Sequence, residues 1–284
     1  MTKIVFWDVQ HGNATYVETP GRKRFIVDLG TGKHAKGNPA FSPLRHLKYR
    51  WNVARLDAVI VTHPHRDHID DISNFDLLSP GTLYRPAHLT ARDIRGDNPA
   101  GANPKIDAYL SINNRYTSPI TKTSDPFAPE NNGGTKVQIF VPSQLPTSNL
   151  NNHSMVTVIS HAGSKVVIPG DNEAASWREL LGWRDFREAI RGTDILLAPH
   201  HGRQAGFSEE LFGHIEPRLT VISDGPLSGT SATATYAAKT SGWVVHKRGG
   251  GTEKRKVVTT RRDGVVVVDI GRNQDGNFIQ VTVD

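Results

Sequence analysis

The chain predicts a layered α/β fold, and three observations carry that prediction. Apolar, β-branched runs at residues 56–62, 155–160, 165–169 and 194–199 have the length and composition of buried strands. Three of them end in residues suited to chemistry rather than packing. These are His63-Pro64-His65-Arg66-Asp67-His68-Ile69-Asp70, Gly170-Asp171-Asn172-Glu173 and His200-His201-Gly202. Helical patterns follow these turns, as a strand–turn–helix layer requires.

Composition narrows the class. The 284 residues are 37% hydrophobic and 22% charged, ordinary values for a globular chain with an ample core. Lys+Arg number 34 against 28 Asp+Glu, a net charge of +6, compatible with an anionic partner but far from a polybasic arm. No cysteine is present, so disulfides are excluded and any metal ligand must be His, Asp or Glu. The opening Met1-Thr2-Lys3-Ile4-Val5-Phe6-Trp7-Asp8 enters a strand without the long apolar stretch of a signal peptide. No segment approaches the ~20 apolar residues that span a bilayer. A cytoplasmic protein forming one domain over residues 1–284 is expected.

In chain order, residues 4–7, 14–18 and 24–30 read as an antiparallel meander with a turn at Pro20-Gly21. Asp8 and Asp28 sit at strand ends with glycine close behind. Each is either a turn former or a group that orients metal-bound imidazoles. Residues 31–50 give a Gly- and Lys-rich loop, then a helix from Pro43. Strand 56–62 delivers the histidine turn, and 69–78 reads as a helix with Ile72, Phe75 and Leu78 on one face. Residues 80–150 are rich in Pro, Gly, Asn and Thr and read as a loop-rich insertion or substrate lid, with short elements at 106–114 and 137–141. Its Arg85, His88, Arg92, Arg95, Arg115 and Lys122 are either solvated or placed to meet an anion. A hairpin at 155–169, a helix at 173–190, strand 194–199, short helices at 207–215 and 231–241, and strands at 219–223, 243–246 and 265–270 complete the reading.

Three imidazoles and a carboxylate within six positions point to a metal site. Mixed imidazole and carboxylate donors suit zinc, manganese or iron, and H-x-H-x-D-H can serve two ions. The alternative, a solvated loop rich in histidine, does not explain why the cluster is set at the end of a buried strand.

The H-x-H-x-D-H turn, Gly170-Asp171 and His200-His201-Gly202 together resemble the metallo-β-lactamase superfamily, which implies an αββα sandwich with a two-metal site on one edge. A closer resemblance is to the hydrolase domain of ComEC-type DNA-uptake proteins. It rests on Asp8-Val9-Gln10-His11-Gly12-Asn13, Val27-Asp28-Leu29-Gly30, Asn151-Asn152-His153-Ser154, Pro169-Gly170-Asp171 and His200-His201-Gly202-Arg203, in the expected order. Departures are Asn13 for Asp, Arg203 for Ser, Asp70-Asp71 for the usual Gly, and the lack of a late G-H-P element. The membrane channel of the DNA-uptake proteins has no counterpart in these 284 residues, so hydrolysis rather than uptake is the expectation.

The resemblance implies that His63 and His65 bind one divalent ion, Zn or Mn. It implies that Asp67 and His68 bind a second, that Asp171 bridges both, and that His200 completes the second site. His153 stands where a further ligand of the first site falls. His200 is favoured over His201 because it comes directly off the strand, which leaves His201 near the leaving group, a catalytic position shared with Asp67 and Asp171. Asn152, Ser154 and Arg203 are candidates for holding phosphate. Two cations sharing a water lower its pKa and neutralise a phosphodiester, so a nuclease or phosphodiesterase acting on DNA or RNA is the expected activity. The alternatives are a hydrolase of a small ester, lactone or phosphorylcholine ester, and a non-catalytic binding module.

Overall fold

Strand side chains alternate between two apolar layers, and that alternation builds the fold. In a computed structural model, which describes residues 1–31, 41–121, 123, 125–225 and 229–284, β1 (Thr2–Phe6) is followed by β2 (Thr15–Glu18) and β3 (Arg24–Val27). Ile4, Phe6, Phe25 and Val27 face the second sheet, whereas Val5, Tyr16 and Ile26 face helices. The middle of the predicted 31–50 loop and Lys122 lie outside the described residues.

Next come α1 (Pro43–Tyr49), β4 (Ala58–Ile60), α2 (Arg66–Ile69), β5 (Leu83–Tyr84), α3 (Ala91–Asp97), α4 (Asn103–Asn113) and β6 (Lys136–Phe140). They are followed by β7 (Val156–His161), β8 (Ser164–Ile168), α5 (Ala174–Gly182), α6 (Arg184–Ile190), β9 (Ile195–Leu197), α7 (Glu209–Phe212) and β10 (Leu219–Ile222). The chain closes with α8 (Thr233–Ala238), β11 (Trp243–Lys247), β12 (Thr252–Arg255), β13 (Val257–Thr259), α9 (Thr260–Asp263), β14 (Val266–Asn273) and β15 (Gly276–Val283).

The first sheet runs β12-β11-β15-β14-β1-β2-β3-β4-β5 and the second β13-β10-β9-β8-β7-β6. Ile60, Ile159, Ile168, Leu197 and Val221 fill the space between them. Helices α1, α3 and α4 cover the outer face of the first sheet through Leu44, Leu47, Ile94, Ile106 and Tyr109. Helices α5 to α8 cover the second through Trp177, Leu180, Phe186, Leu211 and Tyr236. The order is helix, sheet, sheet, helix: the αββα sandwich. Among the described residues no helix is long and apolar enough to cross a membrane.

Parallel strands set the functional edge. β3 and β4 are parallel in one sheet, and β8, β9, β10 and β13 in the other. Asp28 follows β3, the histidine turn follows β4, Asp171 follows β8 and His201 follows β9, so the carboxyl ends of these strands gather the polar turns. Met155 N–H donates to Thr62 O at 2.9 Å and His200 N–H to Gly170 O at 3.2 Å, joining neighbouring turns.

Some elements differ from expectation. The 69–78 helix divides into α2 and a 3-10 stretch at Ile72–Leu78, stopped where Ser79 turns left-handed (φ 40°). The 173–190 helix is broken at Trp183, whose extended backbone (ψ 126°) ends α5 and starts α6. The 80–150 segment holds two helices in place of a mostly irregular loop, because Ile94, Ala102, Ile106, Tyr109 and Ile112 bury against the first sheet. A Thr90/Asp93 capping box starts α3.

The two acids in place of glycine after the histidine turn are structural anchors. Asp71 accepts from Ser42 Oγ at 2.8 Å, Leu44 N at 2.9 Å and Asn74 Nδ2 at 2.7 Å, fixing the start of α1. Asp70 accepts from Thr31 Oγ1 at 2.7 Å. Asp71→Ala leaves those buried donors unpaired, and urea denaturation is expected to show a loss of about 1–3 kcal/mol.

Candidate metal centre

The histidine turn is held from beneath by Asp28. Its carboxylate is fully buried and accepts from Thr62 N at 2.7 Å, Thr62 Oγ1 at 2.9 Å, Asn13 Nδ2 at 3.1 Å and His68 Nδ1 at 2.8 Å. A carboxylate accepts only, so Nδ1 of His68 carries the proton and Nε2 is directed into the cleft. Asn13, where the related motif has an acid, donates an amide to Asp28 instead of adding a second buried charge.

His201 is fixed the same way. Its Nδ1 donates to Ser223 O at 3.1 Å, leaving Nε2 at 3.2 Å from both Asp67 Oδ2 and Asp171 Oδ2. His68 Nε2 lies 3.2 Å from Asp171 Oδ1. One ligand atom each from Asp67, His68, Asp171 and His201 lies within 4.8 Å of the others. The Nε2 atoms of His68 and His201 are buried without a hydrogen bond of acceptable geometry. Two orphaned imidazole nitrogens facing two carboxylates are a donor set that a divalent cation satisfies.

His63 and His65 form a second pole. His65 Nε2 donates to Asp97 Oδ2 at 3.0 Å, which turns its Nδ1 toward His63 Nε2 at 2.9 Å. His63 Nδ1 is 3.2 Å from Ser154 Oγ. The rings of His63 and His68 are 4.2 Å apart, so the two poles adjoin.

Charge in the cleft follows from burial and pairing. Burial favours the neutral carboxyls of Asp67 and Asp171, but His68 and His201 override it and hold both pKa values well below the usual range. Burial also opposes charge on the two histidines, yet the carboxylates raise His68 well above its ordinary value and push His201 up to about 9. His63 is driven well below by burial and by the neighbouring His68 and His65. Protons on His68 and His201 thus balance the carboxylates, and a cation competes with them for the same oxygens.

Several expected site residues occupy other positions. His200 Nε2 is 4.0 Å from Asp171 Oδ2, while its Nδ1 faces Glu173 Oε1 at 3.3 Å, so His201 and not His200 enters the cluster. The reason is backbone: His200, His201 and Gly202 are consecutive left-handed residues (φ 50°, 55° and 69°), and this coil turns the second imidazole inward. His153 is buried, but its Nδ1 contacts His88 Nε2 at 2.8 Å and its Nε2 contacts Pro146 O at 3.2 Å, so both ring nitrogens are engaged outside the cluster. Among the described residues Asp8 touches no imidazole, and it accepts from Gln10 N at 3.1 Å, the turn-former role. Ser154 is fully buried between His63 and the Asp171 backbone N–H (3.0 Å), out of reach of a substrate. Asn152 Oδ1 is buried with no hydrogen-bond partner among the described residues. Arg203 remains near the cleft, its Nη2 3.4 Å from His11 Nδ1.

Two groups escaped the sequence reading. Asp97 lies in a segment read as loop, and the Thr90/Asp93 capping box was the available signal for the helix that carries it. His11 lies in the opening motif at a position where the related pattern carries Gln, and its Nε2 is 3.2 Å from Asp67 Oδ2.

A family profile described as the Metallo-beta-lactamase superfamily matches residues 7–212. The chain belongs to that superfamily. Several proteins of known structure are similar to this chain at low identity. A diphosphatase from the PhnP family is 12% identical over 95% of this chain and 98% of its own (TM-score 0.44). CmlA, a diiron β-hydroxylase from Streptomyces venezuelae, is 13% identical over 80% and 45% (TM-score 0.43), so this chain spans less than half its length. AidC, a dizinc quorum-quenching lactonase, is 19% identical over 56% and 57% (TM-score 0.34). No curated protein matches in sequence. Members of the superfamily use divalent ions, often two, and Asp67, His68, Asp171 and His201 form a candidate site for one.

Two measurements check the site. Asp28→Asn weakens the hold on His68, and titration calorimetry with Mn²⁺ is expected to show affinity about 10–100-fold lower. His201→Ala is expected to lose ion binding, whereas His200→Ala keeps it; the reverse pattern would overturn the assignment.

Proposed function

We propose that the chain is a two-metal phosphodiesterase, acting as a nuclease on DNA or RNA. The observation that carries this reading is Asp171, whose two oxygens each meet a separate buried imidazole at 3.2 Å, a bridging position beside Asp67. His63 and His65 would hold one ion, Asp67, His68 and His201 the other, with Asp171 lying between the two groups. His153 and His200, expected ligands, are left out of this assignment. Zn or Mn suits the nitrogen and oxygen donors.

Bound there, a pair of divalent ions would lower the pKa of an attacking water and neutralise charge on a phosphoryl oxygen. The chain's own residues prepare that chemistry. Asp28 and Ser223 O hold the protons on Nδ1 of His68 and His201, so both Nε2 atoms face the ions. Asp97 does the same for His65 through Nε2. Arg203, half-buried beside His11, is placed to meet the non-reacting phosphate oxygens as a planar cation. The net charge of +6 favours approach of a polyanion. The likeness to ComEC-type hydrolase domains, carried by the ordered motifs from Asp8 to Arg203, belongs to this reading.

Protein stripped of metal and resupplied with Mn²⁺ or Zn²⁺ is expected to cleave at least one of linear DNA, circular DNA, RNA and a generic phosphodiester. Binding of nucleic acid should weaken steeply as salt rises. Asp171→Ala should abolish cleavage with the circular dichroism spectrum unchanged. Failure on all four substrates with both metals removes the nuclease reading, and salt-insensitive cleavage of a lactone or small ester would replace it.

A further inference from the structure

The opening loop reaches the metal cluster from a part of the chain that the H-x-H-x-D-H pattern does not include. Asp8 caps the turn by accepting from Gln10 N at 3.1 Å and Gln10 Nε2 at 3.1 Å, and Gln10 is itself left-handed (φ 57°). Gly12 then packs against the histidine turn so closely that a Cβ there would lie 2.5 Å from Asp67 O, in a backbone conformation (φ 124°) that L side chains rarely adopt. From the other side, a Cβ on Gly225 would lie 2.9 Å from His11 N. The loop is clamped at both ends, and His11 is what it presents.

His11 Nε2 lies 3.2 Å from Asp67 Oδ2, and its ring centre is 4.5 Å from that of His201. The same Asp67 oxygen is 3.2 Å from His201 Nε2 and 3.8 Å from His68 Nε2. Three imidazoles from three distant segments therefore converge on one carboxylate oxygen. Such an oxygen has two lone pairs and cannot accept from all three nitrogens. A cation beside it removes the conflict by taking nitrogen lone pairs directly.

We propose that His11 supplies its Nε2 as an additional ligand to the ion held by Asp67, His68 and His201. This rests on the metal-site reading given above. His11 stands just outside the tight group of four and reaches it along Asp67 and His201, the side open to the cleft. Ligation through Nε2 puts the ring proton on Nδ1, where the guanidinium of Arg203, a donor only, now sits at 3.4 Å. Filling the site thus turns Arg203 away from His11 and toward the cleft, so that ion binding and the anion-binding position are coupled.

The test uses wild-type protein with ¹⁵N-labelled histidine, loaded with ¹¹³Cd²⁺. His11 Nε2, assigned by the loss of its signal in His11→Gln, is expected to show a cadmium coupling. Calorimetry with Mn²⁺ is expected to show the weaker of two bound ions losing about tenfold or more in affinity in His11→Gln, by analogy with disturbed ligand shells. Cadmium couplings on His68 and His201 with none on His11 would overturn the His11 proposal and leave the metal site standing. Absence of cadmium coupling on every histidine would instead remove the metal-site reading, and the His11 assignment with it.

Discussion

One buried carboxylate holds the functional edge together. Asp28 has no exposure to solvent and accepts four hydrogen bonds from Asn13, Thr62 and His68. Those partners come from the first loop, the end of β4 and the histidine turn, so a single side chain ties three segments of the first sheet. Its own backbone is left-handed (φ 61°), a conformation Asp tolerates better than most residues and one that a dense set of partners stabilises. Without this anchor His68 has no fixed tautomer, and the geometry around Asp171 loses one of its two imidazole walls.

Layering accounts for how the second half of the site is reached. The apolar faces of both sheets meet through Ile60, Ile168 and Leu197, each the last or nearly the last residue of its strand. Packing those side chains together brings the turns beyond them together as well. Burial of the sheet interface and convergence of the polar turns are thus one event: the hydrophobic effect supplies the free energy that holds the carboxylates close.

What could be read from sequence was local. The H-x-H-x-D-H turn and the strand before it lie within a dozen residues, so periodicity and residue type sufficed to place them. Sequence favours His200 over His201 because it comes directly off β9, and the left-handed coil through Gly202, which turns the second ring inward, is not visible in the residue pattern. His153 looked like a ligand by position, yet His88 lies sixty-five residues before it in the chain, and no local pattern reveals that the two rings pair. Asp97 was hidden by the composition of its segment, whose helices are stabilised by burial of Ile94 and Tyr109 rather than by any strong intrinsic periodicity. Strand β15 was missed although Phe278, Gln280 and Thr282 alternate with Ile279, Val281 and Val283, because its pairing with β14 through the Asp275-Gly276 turn follows a polar stretch.

The cluster draws its members from chain positions 67, 68, 171 and 201. A nascent chain that has completed only the first sheet's early strands possesses imidazoles in abundance but neither Asp171 nor His201. The candidate site is therefore complete only when the two halves have docked, which makes ion capture a reporter of the finished tertiary structure.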